Sequence, residues 1–308
     1  MKKELVEKIL ELKRQKNAVI LAHYYQVDEI QEIADFVGDS LQLSQNAKNT
    51  NADIIVFAGV HFMAETAKIL NPGKKVILPD LNAGCSLADS CTPDKFQQFI
   101  NEHPGHKVIS YINCSAKIKA MSDIICTSSN AVKIVESFPL EQKLIFAPDK
   151  NLGGYVNQVT GRNMVLWDGS CSVHDLIKSE EVIHLKSQHP DALLIAHPEC
   201  QDIVLQLADF IGSTTALLNF TIKNPGKKFI VATETGILFQ MKKSSPDKEF
   251  IIVSTDEKCS CNDCRYMKLN TIEKLYLSLR NEKPEISLSP ELIGMAQKPI
   301  LKMLELSS

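Results

Sequence analysis

The sequence predicts an α/β protein built from three similar parallel-sheet units around a pseudo-threefold axis, and three observations predict it. Short apolar runs alternate with helical patterns along the whole chain, which is the pattern of parallel βαβ units. The same order of landmarks starts three times, as internal repetition requires. Three cysteines, Cys85, Cys171 and Cys264, recur at nearly equal intervals, each after the last apolar run of its unit. At 308 residues and 44% hydrophobic content the chain can bury a large core, and subdivision into smaller units is expected.

The first unit, residues 1–89, opens on a charged amphipathic helix, Met1-Lys2-Lys3-Glu4-Leu5-Val6-Glu7. Its first strand, Ala18-Val19-Ile20-Leu21-Ala22, ends at His23-Tyr24-Tyr25. A polar helix over 28–36 follows, then a second short strand near Leu41 and a third over 53–58. A helix holding Met63-Ala64-Glu65-Thr66 precedes a strand over 75–80, and a turn leads to Gly84-Cys85.

The second unit, 90–174, repeats the plan. Its strands are expected at 108–113, at 123–126 before Thr127-Ser128-Ser129, at 143–147, and at 164–167 leading through Asp168-Gly169-Ser170 into Cys171. The third unit, 175–308, places strands at 193–196 before His197-Pro198-Glu199-Cys200, at 209–211 before Gly212-Ser213-Thr214-Thr215, and at 228–232 and 249–253. Those last two strands complete the unit's sheet before Cys259-Ser260-Cys261-Asn262-Asp263-Cys264, and C-terminal helices follow. The linkers between units end alike, in Glu102-His103-Pro104-Gly105 and Gln188-His189-Pro190-Asp191.

A net charge of −3 and 6% aromatic content, with no basic cluster interleaved with aromatics, argue against a nucleic-acid partner. No apolar run approaches the ~18 residues of a membrane span, and the charged start does not resemble a signal peptide. A cytoplasmic protein is therefore expected, in which thiols stay reduced and nine cysteines are not a disulfide framework.

Ligands of open parallel sheets gather beyond the carboxyl ends of the strands. Three units around one axis would bring Cys85, Cys171 and one of the C-terminal thiols together as ligands of a central metal centre. Three thiolates on a four-metal cluster leave one metal open to act as a Lewis acid. A zinc site or a regulatory dithiol is the alternative, since Cys85 is close to Cys91, and Cys259, Cys261 and Cys264 are bunched. An electron carrier would need a fourth ligand, such as Cys91 or Cys261. Cys114, Cys126 and Cys200 sit on or beside apolar strands and read as buried thiols.

The first strand of each unit ends in polar groups: His23 and Tyr25, Tyr111 and Asn113, His197 and Glu199. Their recurrence at equivalent ends marks them as site residues, with His197 and Glu199 able to form an acid/base pair. The second strands lead to Ser40, to Ser129, and to Ser213 and Thr214, which read as helix caps whose free N–H groups could also hold phosphate or carboxylate. No Walker loop is present, the 148–155 loop lacks the G-x-G-x-x-G order, and His61-Phe62-Met63-Ala64-Glu65 lacks the second His of a zinc-peptidase helix.

Taken in order, several segments resemble the quinolinate synthase family, the A protein of bacterial NAD biosynthesis. They are Ala22-His23-Tyr24-Tyr25, Gly59-Val60-His61-Phe62-Met63-Ala64-Glu65-Thr66-Ala67, Ala83-Gly84-Cys85-Ser86-Leu87-Ala88-Asp89 and Thr127-Ser128-Ser129-Asn130-Ala131. Further on come Pro148-Asp149-Lys150-Asn151-Leu152-Gly153, Cys171-Ser172-Val173-His174, His197-Pro198-Glu199-Cys200, Gly212-Ser213-Thr214 and Cys264-Arg265-Tyr266-Met267-Lys268-Leu269-Asn270. The resemblance implies a [4Fe–4S] cluster on Cys85, Cys171 and Cys264 with one open iron. Cys264 is chosen because it directly precedes the Tyr-Met-Lys-Leu-Asn segment. Some members carry C-x-x-C-x-x-C there, which this chain lacks, so a Cys259–Cys261 switch is not expected. The resemblance further implies condensation of iminoaspartate with dihydroxyacetone phosphate to quinolinate, and a functional link to an L-aspartate oxidising enzyme. Tyr25, His197 and Glu199 would transfer protons. His23, Tyr111 and Asn113 would position substrate, and Ser40, Ser129, Ser213 and Thr214 would receive phosphate or carboxylate.

Overall fold

The computed structural model describes residues 2–254 and 262–307. Twelve strands form among the described residues: β1 Ala18–His23, β2 Phe36–Gly38, β3 Ile54–Ala58, β4 Lys75–Ile77, β5 Lys107–Tyr111, β6 Ile124–Cys126, β7 Leu144–Ala147, β8 Val165–Leu166, β9 Leu193–Ala196, β10 Phe210–Ile211, β11 Lys228–Ala232 and β12 Glu249–Ile252. They make three four-stranded sheets ordered β2-β1-β3-β4, β6-β5-β7-β8 and β10-β9-β11-β12, with every strand pair parallel. The inner strands are runs of Ile, Val and Phe buried on both faces, as β3 is throughout Ile54–Ala58.

The repetition extends to single atoms. Asp35, Asp123 and Asp209 each precede the second strand of their sheet, and each accepts the backbone N–H of a residue 15 positions earlier, at Ile20 (2.8 Å), Val108 (2.8 Å) and Leu194 (2.7 Å). Each is also paired with a lysine: Lys13, Lys107 and Lys186 respectively. The three units therefore share one fold at the level of individual hydrogen bonds.

One expectation changes. The second strand of the first unit is Phe36–Gly38, while Leu41 lies in the helix Ser40–Asn49. Asp39 and Gln42 form a reciprocal capping box there, so the helix starts directly after the strand. The two C-terminal helices pack on elements of the first two units. Ile272–Asn281 lies on the helix Lys2–Gln15 and on β3, and Pro290–Leu306 lies on the helix Ala116–Ala120, on β6 and on the helix His61–Leu70. Ala296, Ile300, Met303 and Leu304 of that last helix join one core with Leu21, Ile55, Ile109 and Ile124 of the first two sheets. No helix of the described residues is long and apolar enough to cross a membrane.

The third unit closes tightly on the first. A Cβ at Gly236 would lie 2.7 Å from Tyr25 Cα, so only glycine admits this approach. Gln31 Nε2, buried, donates to the carbonyls of Tyr24, Gln26 and Gly236 at 2.8–3.0 Å. This seam fixes Tyr25 opposite the ends of the third sheet.

Candidate active site

The carboxyl ends of the three sheets meet at one cavity of about 440 Å³. The first unit contributes His23, Tyr25, Ser40 and Cys85 to its wall, the second Tyr111, Asn113 and Cys171, the third His197, Glu199, Thr214 and Cys264. Two sequence-predicted residues stand off the wall. Ser213 caps the helix Thr214–Lys223 by accepting Ala216 N–H, and Ser129 donates to Asp39 Oδ2 at 2.9 Å. In the second unit Thr127 and Ser128 face the cavity instead, and Asn130, not a serine, precedes the helix Ala131–Glu136.

The three cysteines are built alike. Each starts a tight turn, and its sulfur takes the backbone N–H of the residue three further on: Ala88 for Cys85, His174 for Cys171, Met267 for Cys264. Ser86 Oγ and Ser172 Oγ, the neighbours of the first two, touch at 2.8 Å although 86 residues apart. All three thiols are free, and burial pushes each upward, Cys85 to about 12. A cationic partner is what would make thiolates of them. Cys91, Cys114, Cys126 and Cys200 are buried away from the cavity. Cys259 and Cys261 lie outside the described residues.

A buried acid/base network begins beside the Cys171 sulfur, which lies 3.3 Å from His174 Nδ1. Glu199 Oε2 is 2.8 Å from His174 Nδ1, His174 Nε2 is 2.9 Å from Thr233 Oγ1, and Thr233 Oγ1 is 3.0 Å from Tyr25 OH, which also meets Thr214 Oγ1 at 3.0 Å. His174 stacks on His197 with centroids 4.7 Å apart. Burial alone would raise Glu199, but His174, His197 and Tyr111 reverse that and hold its carboxyl well below the usual range. Burial drives Tyr25 and Tyr111 well above the ordinary phenol value. Neutral pH therefore finds an ionised carboxylate and two intact phenols side by side, which is how an enzyme separates base from acid.

His23 and His197 repeat one geometry. The Nδ1 of each accepts the backbone N–H two residues on, from Tyr25 (3.1 Å) and Glu199 (3.3 Å), which leaves the proton on Nε2. Burial lowers them to about 4 and about 3, against the pull of nearby carboxylates, so both are neutral donors. His197 Nε2 reaches Ser128 Oγ at 3.3 Å. Asn113 Nδ2 points at Glu199 Oε1 from 3.5 Å, while its Oδ1 is buried with no partner among the described residues.

His174, Thr233, Asp149 and Glu234 are site residues that sequence reasoning did not single out. For His174 a signal existed, since three positions past Cys171 puts it on the same turn as the sulfur. Cys171 Sγ, His174 and Glu199 bring ligand atoms within 4.8 Å of one another, a group able to hold a metal ion.

The family of the quinolinate synthetase A protein matches residues 7–305. Among curated relatives, the quinolinate synthase of Microcystis aeruginosa is 63% identical over 304 residues, covering 99% of this chain and 95% of that protein. That of a Synechocystis species is 61% identical over 305 residues, covering 99% and 96%. That of Chloroherpeton thalassium is 59% identical over 305 residues, covering 99% and 95%. A family match over nearly the whole length, with relatives about 60% identical from end to end, means that this chain belongs to the quinolinate synthetase A protein family.

Proposed function

We propose that the protein is a quinolinate synthase of NAD biosynthesis, condensing iminoaspartate with dihydroxyacetone phosphate to quinolinate, inorganic phosphate and two waters. The observation that carries this reading is the convergence of Cys85, Cys171 and Cys264 with Tyr25, His197 and Glu199 on one cavity supplied by all three units. The donor set suits a [4Fe–4S] cluster: three free cysteine sulfurs line the wall, and no fourth cysteine does among the described residues. When bound through those sulfurs, the cluster supplies an open iron that polarises a substrate oxygen.

The remaining chemistry falls to the chain. Glu199, ionised and oriented by His174, takes a proton from carbon or nitrogen of the condensing substrates. Tyr25 keeps its proton and gives it to a departing hydroxyl, and is resupplied through Thr233 from His174. His197 and His23 offer Nε2–H donors, and the unpartnered Asn113 Oδ1 is ready to accept from a substrate N–H or O–H. Tyr111 crowds the carboxylate of Glu199 and positions substrate against it. Ser40 and Thr214, at two helix starts on the wall, receive phosphate or carboxylate, with Ser129 and Ser213 supporting them from behind. Iminoaspartate would come from an L-aspartate oxidising enzyme, in a shared cytoplasm. Unit bounds at 1–89, 90–174 and 175–308 complete the reading.

Anaerobically prepared, iron-loaded protein given both substrates should form quinolinate, detected by chromatography. Fully loaded protein that forms none would exclude this function. A single ion on Cys171, His174 and Glu199 is the second reading, favoured by their 4.8 Å grouping. A colourless protein with one zinc and no sulfide would establish it.

A further inference from the structure

The residue two positions beyond the third strand occupies the same place in each unit: Val60 after β3, Asp149 after β7, Glu234 after β11. In two of the three units it is a carboxylate with no exposure at all. Asp149 Oδ2 accepts the backbone N–H of Cys171 at 3.2 Å, and Oδ1 accepts that of Leu152 at 2.8 Å. Glu234 Oε1 accepts the backbone N–H of Cys264 at 3.0 Å and lies 2.9 Å from Lys268 Nζ, while Oε2 accepts that of Gly236 at 2.7 Å.

Burying a carboxylate costs several kcal/mol unless its oxygens are satisfied. Both groups offset part of that cost by gripping peptide N–H groups, and in each case one of them belongs to a cysteine of the cavity wall. Asp149 is held hard against the Cys171 loop. Lys150 N–H donates to Gly169 O at 2.8 Å, and a Cβ on Gly169 would lie 2.5 Å from Pro148 O. The first unit does without the carboxylate. Val60 packs in the core, and the Cys85 loop is anchored by backbone, with His61 N–H donating to Ala83 O at 2.7 Å.

We propose that Asp149 and Glu234 are positioning residues for the metal centre, each clamping the peptide of one sulfur ligand so that the sulfur faces the cavity before metal arrives. The proposal rests on the reading of Cys85, Cys171 and Cys264 as ligands of one centre. Partners that orient metal ligands are worth on the order of 10–100-fold in metal retention. The clamps act on the second and third sulfurs only, so iron loss in clamp variants should begin at Cys171 or Cys264.

Asp149→Asn and Glu234→Gln keep size and shape but turn one accepting oxygen into an NH₂ donor, which cannot hold both peptides. Wild type and variants are reconstituted anaerobically and compared for iron and sulfide per chain, visible absorbance, and the half-time of iron transfer to a chelator. Asp123→Asn is the control. It breaks the same kind of bond, at Val108 N–H in the second sheet. The two clamp variants should release iron about 10–100-fold faster than wild type, with an altered visible band, whereas Asp123→Asn keeps the wild-type half-time and spectrum. Wild-type half-times in both clamp variants, or equal acceleration in Asp123→Asn, overturn the proposal. Wild-type protein that takes up no iron overturns the ligand reading and this proposal with it. Should Asp149→Asn fail to fold, Glu234→Gln decides by the same half-time.

Discussion

Glu199 and Tyr25 stand at opposite ends of one hydrogen-bonded chain that passes through His174 and Thr233. Thr233 is the link with no other chemistry of its own. Thr233→Val keeps the buried shape and removes the hydroxyl. We expect kcat to fall on the order of 10²-fold, at the low end of a proton-transfer contribution, with KM and iron content unchanged. Steady-state kinetics beside an iron assay checks it, and an unaltered kcat removes the relay.

Glu199 itself carries the greater burden. Glu199→Gln should keep the metal centre and lower kcat by about 10²–10⁴-fold, the range for loss of a general base. Turnover at the wild-type rate would take Glu199 out of the mechanism.

The three sulfurs should behave as equals. Cys85→Ala, Cys171→Ala and Cys264→Ala are each expected to abolish a stable cluster, while Cys91→Ala, altering a thiol that packs with Phe96 and Val108, leaves iron and sulfide content intact. Cys259→Ala and Cys261→Ala should also retain the cluster. Iron analysis of the anaerobic proteins decides, and full iron in Cys264→Ala would refute its assignment as ligand.

The helix Pro290–Leu306 contributes to stability through its buried face. Ile300 is fully buried among residues of the first two units. Ile300→Ala should cost about 2–5 kcal/mol through lost transfer energy and the cavity left behind, seen as a lowered midpoint in urea. A change below ~1 kcal/mol would mean the seam relaxes around the gap.

Glu282 gives a pH dependence whose sign can be worked out. Its carboxylate lies 2.5 Å from both Lys16 and Lys75, and hydrogen bonds from those lysines lower it from 4.5 to about 2. A folded value below the unfolded one makes the contribution complete above about 4.5 and lost as pH falls towards 2. Glu282→Gln should make the thermal midpoint of the protein fall less steeply across that window than in wild type, and an unchanged slope would mean that the lysine bridge contributes nothing. The same glutamate holds the left-handed position (φ 55°) that ends the helix Ile272–Asn281, where glycine is usual.

Much of this was legible in the residues, for definite reasons. Ile54-Ile55-Val56-Phe57 and its counterparts reveal inner strands because burial on both faces demands unbroken apolar runs. Strand ends carrying His23, Tyr111 and His197 reveal the cavity because parallel sheets aim those ends at ligands. The strand Phe36–Gly38 was not legible: it has three residues, and Phe36 is exposed. The packing of Ile272–Asn281 and Pro290–Leu306 was hidden too, since an amphipathic pattern gives an apolar face and not its partner. Thr233 acts across units, on Tyr25 and His174, while Glu234 grips residues 30 and more positions away along the chain, and nothing in Ala232-Thr233-Glu234-Thr235 announces either role.

The helix Pro290–Leu306 fills a seam between two sheets whose strands all precede Ile177, and the whole third unit is synthesised in between. On the ribosome, then, the first two sheets wait with Ile109, Ile124 and their neighbours uncovered while the third is made. That seam can close only once residues 290–306 are free to pack, and apolar surface left open until then is where a growing chain is prone to aggregate.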